Sequence, residues 1–147
     1  MDTITRESVI LSSAPHFGNR RFKAAFDKNL NFSDIIAQPN KFKEQLVLRQ
    51  ETIQYLNENK YDDYLNEISK WLKEPNHNIV SYLDDNYPDS LKQIVDPPIL
   101  LYCVGDTNLL TSNQLAVVGS RNYSTYGRNV TDKIITELAN SSLTITS

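Results

Sequence analysis

Residues 115–127 read LAVVGSRNYSTYG, and this stretch decides the fold of the chain. The apolar run at residues 115–118 is typical of a buried strand, and the glycine turn after it leads into a predicted helix from about residue 125 to residue 140. The segment from Leu143 to Thr146 predicts a further strand. Strand, glycine turn, helix and strand in this order form a βαβ unit, which indicates a parallel sheet.

The turn between strand and helix has the chemistry of a phosphate site. Backbone N–H groups at the start of a helix lack partners, and with the positive end of the helix dipole they favour an anion. Gly119 permits close approach of the backbone, Ser120 offers a hydroxyl donor, and Arg121 offers a planar fork of donors that matches phosphate. Ser124 is placed to cap the helix. We therefore predict that Gly119, Ser120 and Arg121 bind phosphate.

Each assignment at this turn has an alternative. A tight turn from strand to helix explains Gly119 equally well, because the full dinucleotide fingerprint has three glycines and this turn has one. The alternative for Arg121 is a surface position or a salt bridge, although its place beside the turn favours phosphate. Ser120 lacks the flanking glycine pair and the histidine partner of a hydrolase nucleophile. Tyr123 and Tyr126 flank the turn, and they are our candidates for stacking on nucleobases.

About the first 75 residues are predicted to be all helical. No glycine occurs from residue 19 to residue 104, and apolar residues recur at helical spacing. They form three sets: Phe22, Phe26 and Leu30; Phe42, Leu46, Ile53 and Leu56; and Tyr61, Leu65, Ile68 and Leu72. We expect these three sets to face a helical core.

The pattern changes after Pro75. The compact apolar run at residues 99–104 is suited to a buried strand, and we expect it to share one parallel sheet with the runs at 115–118 and 143–146. The helix between the last two runs carries its apolar residues on one face: Val130, Ile134 and Leu138. The expected fold class is therefore α/β, with a helical domain at residues 1–75 and the start of a Rossmann-like parallel sheet at residues 76–147.

The segment APHFGNRRFKAAF, residues 14–26, predicts a helix, a tight turn at Gly18 and a second helix. Such a hairpin could hold a phosphate on its backbone amides, with Arg20, Arg21 and Lys23 nearby. Basic residues at a helix N-terminus oppose the dipole, and no acidic cap offsets them. We therefore favour the other interpretation, in which the phenylalanines pack the core and the basic residues form a solvated face.

Composition narrows the class of protein. The chain has 147 residues and a formal charge of -3, which argues against binding of nucleic acid through bulk charge. The single cysteine, Cys103, excludes an internal disulfide framework and indicates a reducing, cytoplasmic location. His16 and His77 lie far apart in sequence and predict no metal site. No apolar run is long enough to span a membrane.

Three blocks of the sequence closely resemble the DNA-processing protein A family, DprA/Smf. They are YPDSLKQIVDPPILLYCVGD at residues 87–106, AVVGSRNYSTYG at residues 116–127, and LTITS at residues 143–147. The blocks follow one another in the family's order. The resemblance is strong over residues 79–147 and looser over residues 1–75, which it identifies as a SAM-like or helix-hairpin-helix-like domain before a Rossmann-like core.

The resemblance implies a function without chemistry. Family members bind single-stranded DNA during natural transformation, protect incoming strands and help to load the RecA recombinase. It also implies a homodimer in the full-length protein, no cofactor and no metal. Gly119, Ser120 and Arg121 match the family's phosphate-contacting turn.

We expect the chain to be an N-terminal piece of a longer protein. A parallel sheet needs neighbours on both sides, yet the sequence stops at Ser147, directly after a strand. A small complete α+β protein is the alternative. For function, the alternative is a Rossmann-like nucleotide-binding enzyme that acts on a phosphoribosyl-type substrate.

Overall fold

The computed structural model describes residues 1–138 and 143–147. Packing divides the chain into two compact units, residues 1–107 and residues 108–147. The first unit holds the helices that precede Pro75 and a small antiparallel sheet. The second unit holds a βαβ unit.

Helices and the turns between them make up the first 75 residues, as their apolar spacing predicts. They are α1 (Thr3–Ser13), α2 (Asn19–Asp27), α3 (Phe32–Ala37), a 3₁₀ turn (Pro39–Phe42), α4 (Lys43–Leu46), α5 (Gln50–Asn57) and α6 (Asp62–Trp71). Side chains that precede a helix cap two of them: the carboxylate of Asp2 accepts from Thr5 N at 2.8 Å, and Asn31 accepts from Asp34 N at 3.1 Å.

The helical core combines predicted apolar positions, such as Phe22, Ile53 and Leu56, with positions outside the three predicted sets. Its fully buried members include Ile10, Leu11, Phe17, Phe22, Ile35, Ile53 and Leu56. Leu65 and Ile68 of α6 join the same core. Phe26 is 44% exposed and packs edge-on against Tyr82 instead, so the predicted face of α2 is only partly buried.

The strand predicted at residues 99–104 forms, but its partner differs from the expectation. Strand β1 (His77–Ser81) pairs antiparallel with β2 (Leu100–Val104), and the two make a separate two-stranded sheet. Ile79 and Leu100 lie on the face that packs against the helical core. The expectation of one parallel sheet with β2 in it is wrong, because the nine residues between Val104 and the next strand, which starts at Gln114, are fewer than the roughly dozen that a parallel crossover needs.

The connection from β1 to β2 includes a short helix, α7 (Asp89–Lys92). Tyr87 is 1% exposed there, and its hydroxyl donates to the carbonyl oxygen of Pro98 at 2.8 Å. This bond ties the two ends of the segment from residue 87 to residue 98 together beside β2.

A 3₁₀ turn, Thr107–Thr111, lies across the division between the two units. The second unit then contains the elements of the predicted βαβ unit in the predicted order. Strand β3 (Gln114–Ala116) is followed by α8 (Thr125–Leu138) and by β4 (Thr144–Thr146). β3 and β4 pair in parallel. The predicted βαβ unit is confirmed, and its first strand is shorter than expected, since Val118 is 88% exposed.

Helix α8 is less buried than its apolar pattern predicts. Val130 is 38% exposed and Ile134 is 48% exposed. The face that turns inward instead contains Gly127, Thr131 and Ile135, each partly buried. The last two residues predicted for this helix, 139 and 140, lie outside the described residues.

The α/β class is confirmed: a helical N-terminal region is followed by short strands, including a parallel pair. The division by packing at residues 107 and 108 differs from the predicted domain boundary at 75 and 76. The packing division describes only contacts within this chain and does not test where the domains divide. The predicted domain boundary at residues 75 and 76 therefore stays a prediction.

Candidate nucleic-acid interface

The loop from residue 117 to residue 124 carries the predicted phosphate site. It leaves the sheet after Val117, whose N–H donates to the carbonyl oxygen of Thr146 at 2.7 Å. Farther along, the hydroxyl oxygen of Ser120 accepts from Asn122 N at 3.2 Å. The Ser120 side chain thus stabilises the turn, while it and its neighbours remain exposed.

Ser124 caps α8, as predicted. Its hydroxyl oxygen accepts from Gly127 N at 3.1 Å. A Cβ atom at position 127 would lie 3.3 Å from that oxygen, so glycine leaves the cap undisturbed. Within residues 1–138 and 143–147, the N–H groups of Thr125 and Tyr126 have no acceptor, and they lie at the positive end of the helix dipole.

Gly119 has open space around it. A Cβ atom built there would meet nothing within 4 Å among the described residues, and its φ lies outside the left-handed region. The tight-turn explanation of Gly119 needs crowding or a left-handed φ, and neither is present. Because glycine has no side chain, a ligand has room to approach the backbone at Gly119.

A depression of about 740 Å³ lies between this loop and the first two turns of α8. It is lined by Val117, Val118, Gly119, Ser120, Asn122, Tyr123, Ser124, Gly127, Arg128, Thr131 and Asp132. Two of the three predicted phosphate residues, Gly119 and Ser120, are therefore brought to one concave surface.

Arg121 lies beside this depression and does not line it. Its side chain is exposed, and it forms no ion pair within the described part of the chain. A guanidinium group without a carboxylate partner is available to an anion. The salt-bridge alternative for Arg121 therefore has no partner among these residues.

Sequence reasoning missed the contribution of α8 to the depression. Arg128 and Asp132 line it, together with Thr131. These residues share the helix face that starts at Ser124, and the spacing of four residues from 124 to 128 to 132 could have revealed it. Nε of Arg128 lies 3.6 Å from Oδ2 of Asp132.

The hairpin at residues 14–26 forms as predicted, with Gly18 at the start of α2. Arg21 donates from Nε to the carbonyl oxygens of Leu46 and Val47, at 3.2 and 3.1 Å, and from Nη1 to that of His16. Lys23 pairs with Asp27 at 3.1 Å. Arg21 and Lys23 therefore already have partners within the chain, which agrees with the structural interpretation of this hairpin.

The two histidines also have partners within the chain. Nδ1 of His77 lies 2.8 Å from the carbonyl oxygen of Trp71, and the two rings stack at 4.3 Å. Nδ1 of His16 lies 3.5 Å from Nη1 of Arg49. Among the residues described, His, Cys, Asp and Glu side chains form no group of three that could hold a metal ion. No helix of that part is both long and apolar enough to cross a bilayer.

By sequence, known proteins match about half of this chain. Residues 78–147 match the family model described as DNA recombination-mediator protein A. Protein Smf of Escherichia coli is 40% identical over 77 residues, which cover 52% of this chain and 21% of the relative. DNA processing protein DprA of Streptococcus pneumoniae is 45% identical over 60 residues, which cover 41% of this chain and 21% of the relative.

A solved structure matches along nearly the whole chain. The X-ray structure of DprA from Streptococcus pneumoniae aligns with a TM-score of 0.66 and 26% identity, over 99% of this chain and 48% of that one. The chain thus spans about a fifth of the curated relatives and about half of the solved chain. These matches do not favour the alternative of a phosphoribosyl-directed enzyme.

Proposed function

We propose that the chain belongs to the DNA recombination-mediator protein A family, whose model matches residues 78–147, and that it binds single-stranded DNA. The backbone phosphates are bound at the turn formed by Gly119, Ser120 and Arg121. Binding there is independent of base sequence, because phosphate carries no base information. No bond is made or broken, so the proposed role is that of a binding protein.

The observation that carries this proposal is the exposed turn at the capped start of α8. Gly119 leaves the backbone open to approach, and the N–H groups of Thr125 and Tyr126 are free to donate. Arg121 adds a charged, exposed donor group that has no carboxylate partner in the described chain. Each of these features favours an anion, and a strand of DNA supplies one at every nucleotide.

Tyr123 is the second element of the proposed interface. It lines the depression and is 67% exposed, so its ring is accessible to a nucleobase. Tyr126 is 79% exposed but lies outside the lining. Stacking on Tyr123 tolerates any base, which fits binding without sequence preference.

In this proposal the full-length protein acts in DNA recombination during natural transformation. It protects incoming single strands and helps RecA recombinase to load on them, and it acts as a homodimer. Its location is the cytoplasm, and the single Cys103 fits a reducing compartment.

Arg121→Ala tests the proposal. The substitution removes one charge and a set of donors while Gly119 and Ser124 keep the turn and the cap. We expect weaker binding of fluorescein-labelled single strands of every base composition, measured by fluorescence anisotropy. The slope of log affinity against log salt should become shallower by up to about 0.7, the value for one single-strand phosphate contact.

Arg20→Ala is the matched control, because Arg20 is an exposed arginine at the start of another helix. It should leave the affinity and the salt slope unchanged. If Arg121→Ala kept the original affinity and slope, the phosphate role of the turn would be wrong. A loss limited to one base composition would instead indicate a contact with a base edge.

A further inference from the structure

The depression beside the turn contains a pair of opposite charges that the proposed function does not use. Arg128 and Asp132 lie one helical turn apart on α8, and both line the depression. Their side chains are 64% and 67% exposed, so solvent and a ligand can reach both. In the lining, the carboxylate of Asp132 thus lies beside the guanidinium of Arg128.

An acidic side chain at this position opposes a phosphate ligand. Its charge repels an anion, and its contact with Nε of Arg128, at 3.6 Å, occupies the guanidinium that would otherwise attract one. The pair contributes little to folding, because exposed pairs at this spacing are worth about 0.5 kcal/mol or less. A ligand phosphate can therefore compete for Arg128 at low cost.

The position of Arg128 suits a second phosphate of the same strand. It lies four residues after Ser124, or about 6 Å along the helix axis from the cap. A strand that places one phosphate at the turn brings the next within reach of an arginine side chain on this face. Arg121 and Arg128 would then bind two successive phosphates of one strand.

We propose that Arg128 is a second phosphate-binding residue of this site and that Asp132 limits its use by pairing with it. The inference rests on the proposed function. It states that Arg128 and Asp132 of α8 set the affinity of the phosphate turn for single-stranded DNA. Asp132 thereby keeps the affinity for single strands lower, and more easily reversed, than the cationic groups alone would give.

Asp132→Asn removes the competing charge and keeps the shape of the side chain. In anisotropy titrations of the 147-residue chain with fluorescein-labelled oligothymidylate, we expect affinity to rise about two- to fivefold at low salt. The salt slope should steepen by up to about 0.7, because one more phosphate is neutralised. Asp27→Asn is the matched control: it removes a carboxylate from another exposed pair at the same spacing, with Lys23, and should change neither quantity.

The double variant Arg128→Ala/Asp132→Asn separates pairing from simple repulsion. We expect the double variant to show neither the higher affinity nor the steeper salt slope of Asp132→Asn. If the gain persisted, or if Asp132→Asn behaved like Asp27→Asn, the inference would be wrong. Arg121→Ala, measured in parallel, isolates the proposed function: a loss there with no effect of Asp132→Asn overturns only the inference. Absence of any salt-dependent binding by the unmodified chain overturns both.

Discussion

Arg21 shows how a basic residue can be structural. Its guanidinium donates to the carbonyl oxygens of His16, in the turn before α2, and of Leu46 and Val47, at the C-terminal end of α4. Val47 has φ and ψ of 51° and is 72% exposed, so a β-branched residue is held in the left-handed region at the end of α4. The arginine fixes the carbonyl of this strained residue.

We predict that Arg21→Ala lowers the free energy of unfolding by about 1.5–3 kcal/mol, the range for hydrogen bonds to a charged group. Urea denaturation measures this change. Arg20→Ala, on the neighbouring exposed residue, should change it by less than about 0.5 kcal/mol. Equal effects of the two substitutions would contradict the structural role of Arg21.

The cap at Ser124 could be predicted at this scale, whereas the role of Arg21 could not. Ser124 precedes a helical pattern by one residue, and its N–H partner at position 127 is local in sequence. The partners of Arg21 at positions 46 and 47 are 25 and 26 residues away. Such a contact depends on tertiary packing, which no local pattern encodes.

Helix α8 depends on its cap. Ser124→Ala removes the acceptor of Gly127 N, and we predict a loss of about 1 kcal/mol in the stability of this helix. Ser124→Asp should retain the cap and its stability but weaken the binding of single strands, because it places a negative charge at the phosphate turn. Hydrogen exchange of the α8 amides and anisotropy titration measure the two effects. Destabilisation by both substitutions alike would contradict the cap.

The connection between β1 and β2 has a pH-dependent component. Burial of the phenol, with a smaller contribution from the neighbouring Tyr82, raises the pKa of Tyr87 from its ordinary value of 10.0 to about 12. The folded state thus favours the neutral phenol. Its contribution to stability is complete below pH 10 and is lost as the pH rises through about 12.

Tyr87→Phe tests this component. We predict a lower stability at neutral pH, by about 1 kcal/mol for the lost hydrogen bond. The alkaline loss should become smaller, because phenylalanine has no proton to release. Urea denaturation from pH 8 to pH 11 checks both. A variant with the same alkaline slope as the unmodified protein would contradict the assignment to Tyr87.

The strands illustrate what a sequence can specify at the level of elements. Apolar runs located β2, β3 and β4 to within two residues at each end, because burial requires such runs. They did not identify the pairing of β2, since antiparallel and parallel partners of a five-residue apolar strand have similar sequences. The partly β-branched segment at β1 was the missed signal, as it supplies the antiparallel partner of β2.

The two units differ in burial, which is a property of the whole molecule. The first unit contains a continuous core of buried side chains, whereas none of the described residues in the second unit is fully buried. Local stability follows buried apolar contact. The apolar pattern of α8 predicted a buried face, but Val130 and Ile134 stay 38% and 48% exposed.

We predict that backbone amides of α8 exchange with solvent much faster than those of α1 and α5. Hydrogen exchange followed by mass spectrometry of peptides from each unit measures this difference. Equal protection of α1 and α8 would contradict the burial seen here.

The central claim is that single-stranded DNA binds at the turn before α8. Titration of the ¹⁵N-labelled chain with unlabelled oligothymidylate, followed by NMR, tests it amide by amide. The account predicts that the largest shift changes fall on residues 119–128, with Thr125 and Tyr126 among them, and that they diminish as salt is added. Shift changes confined to the hairpin at residues 14–26, or spread evenly over both units, would contradict it.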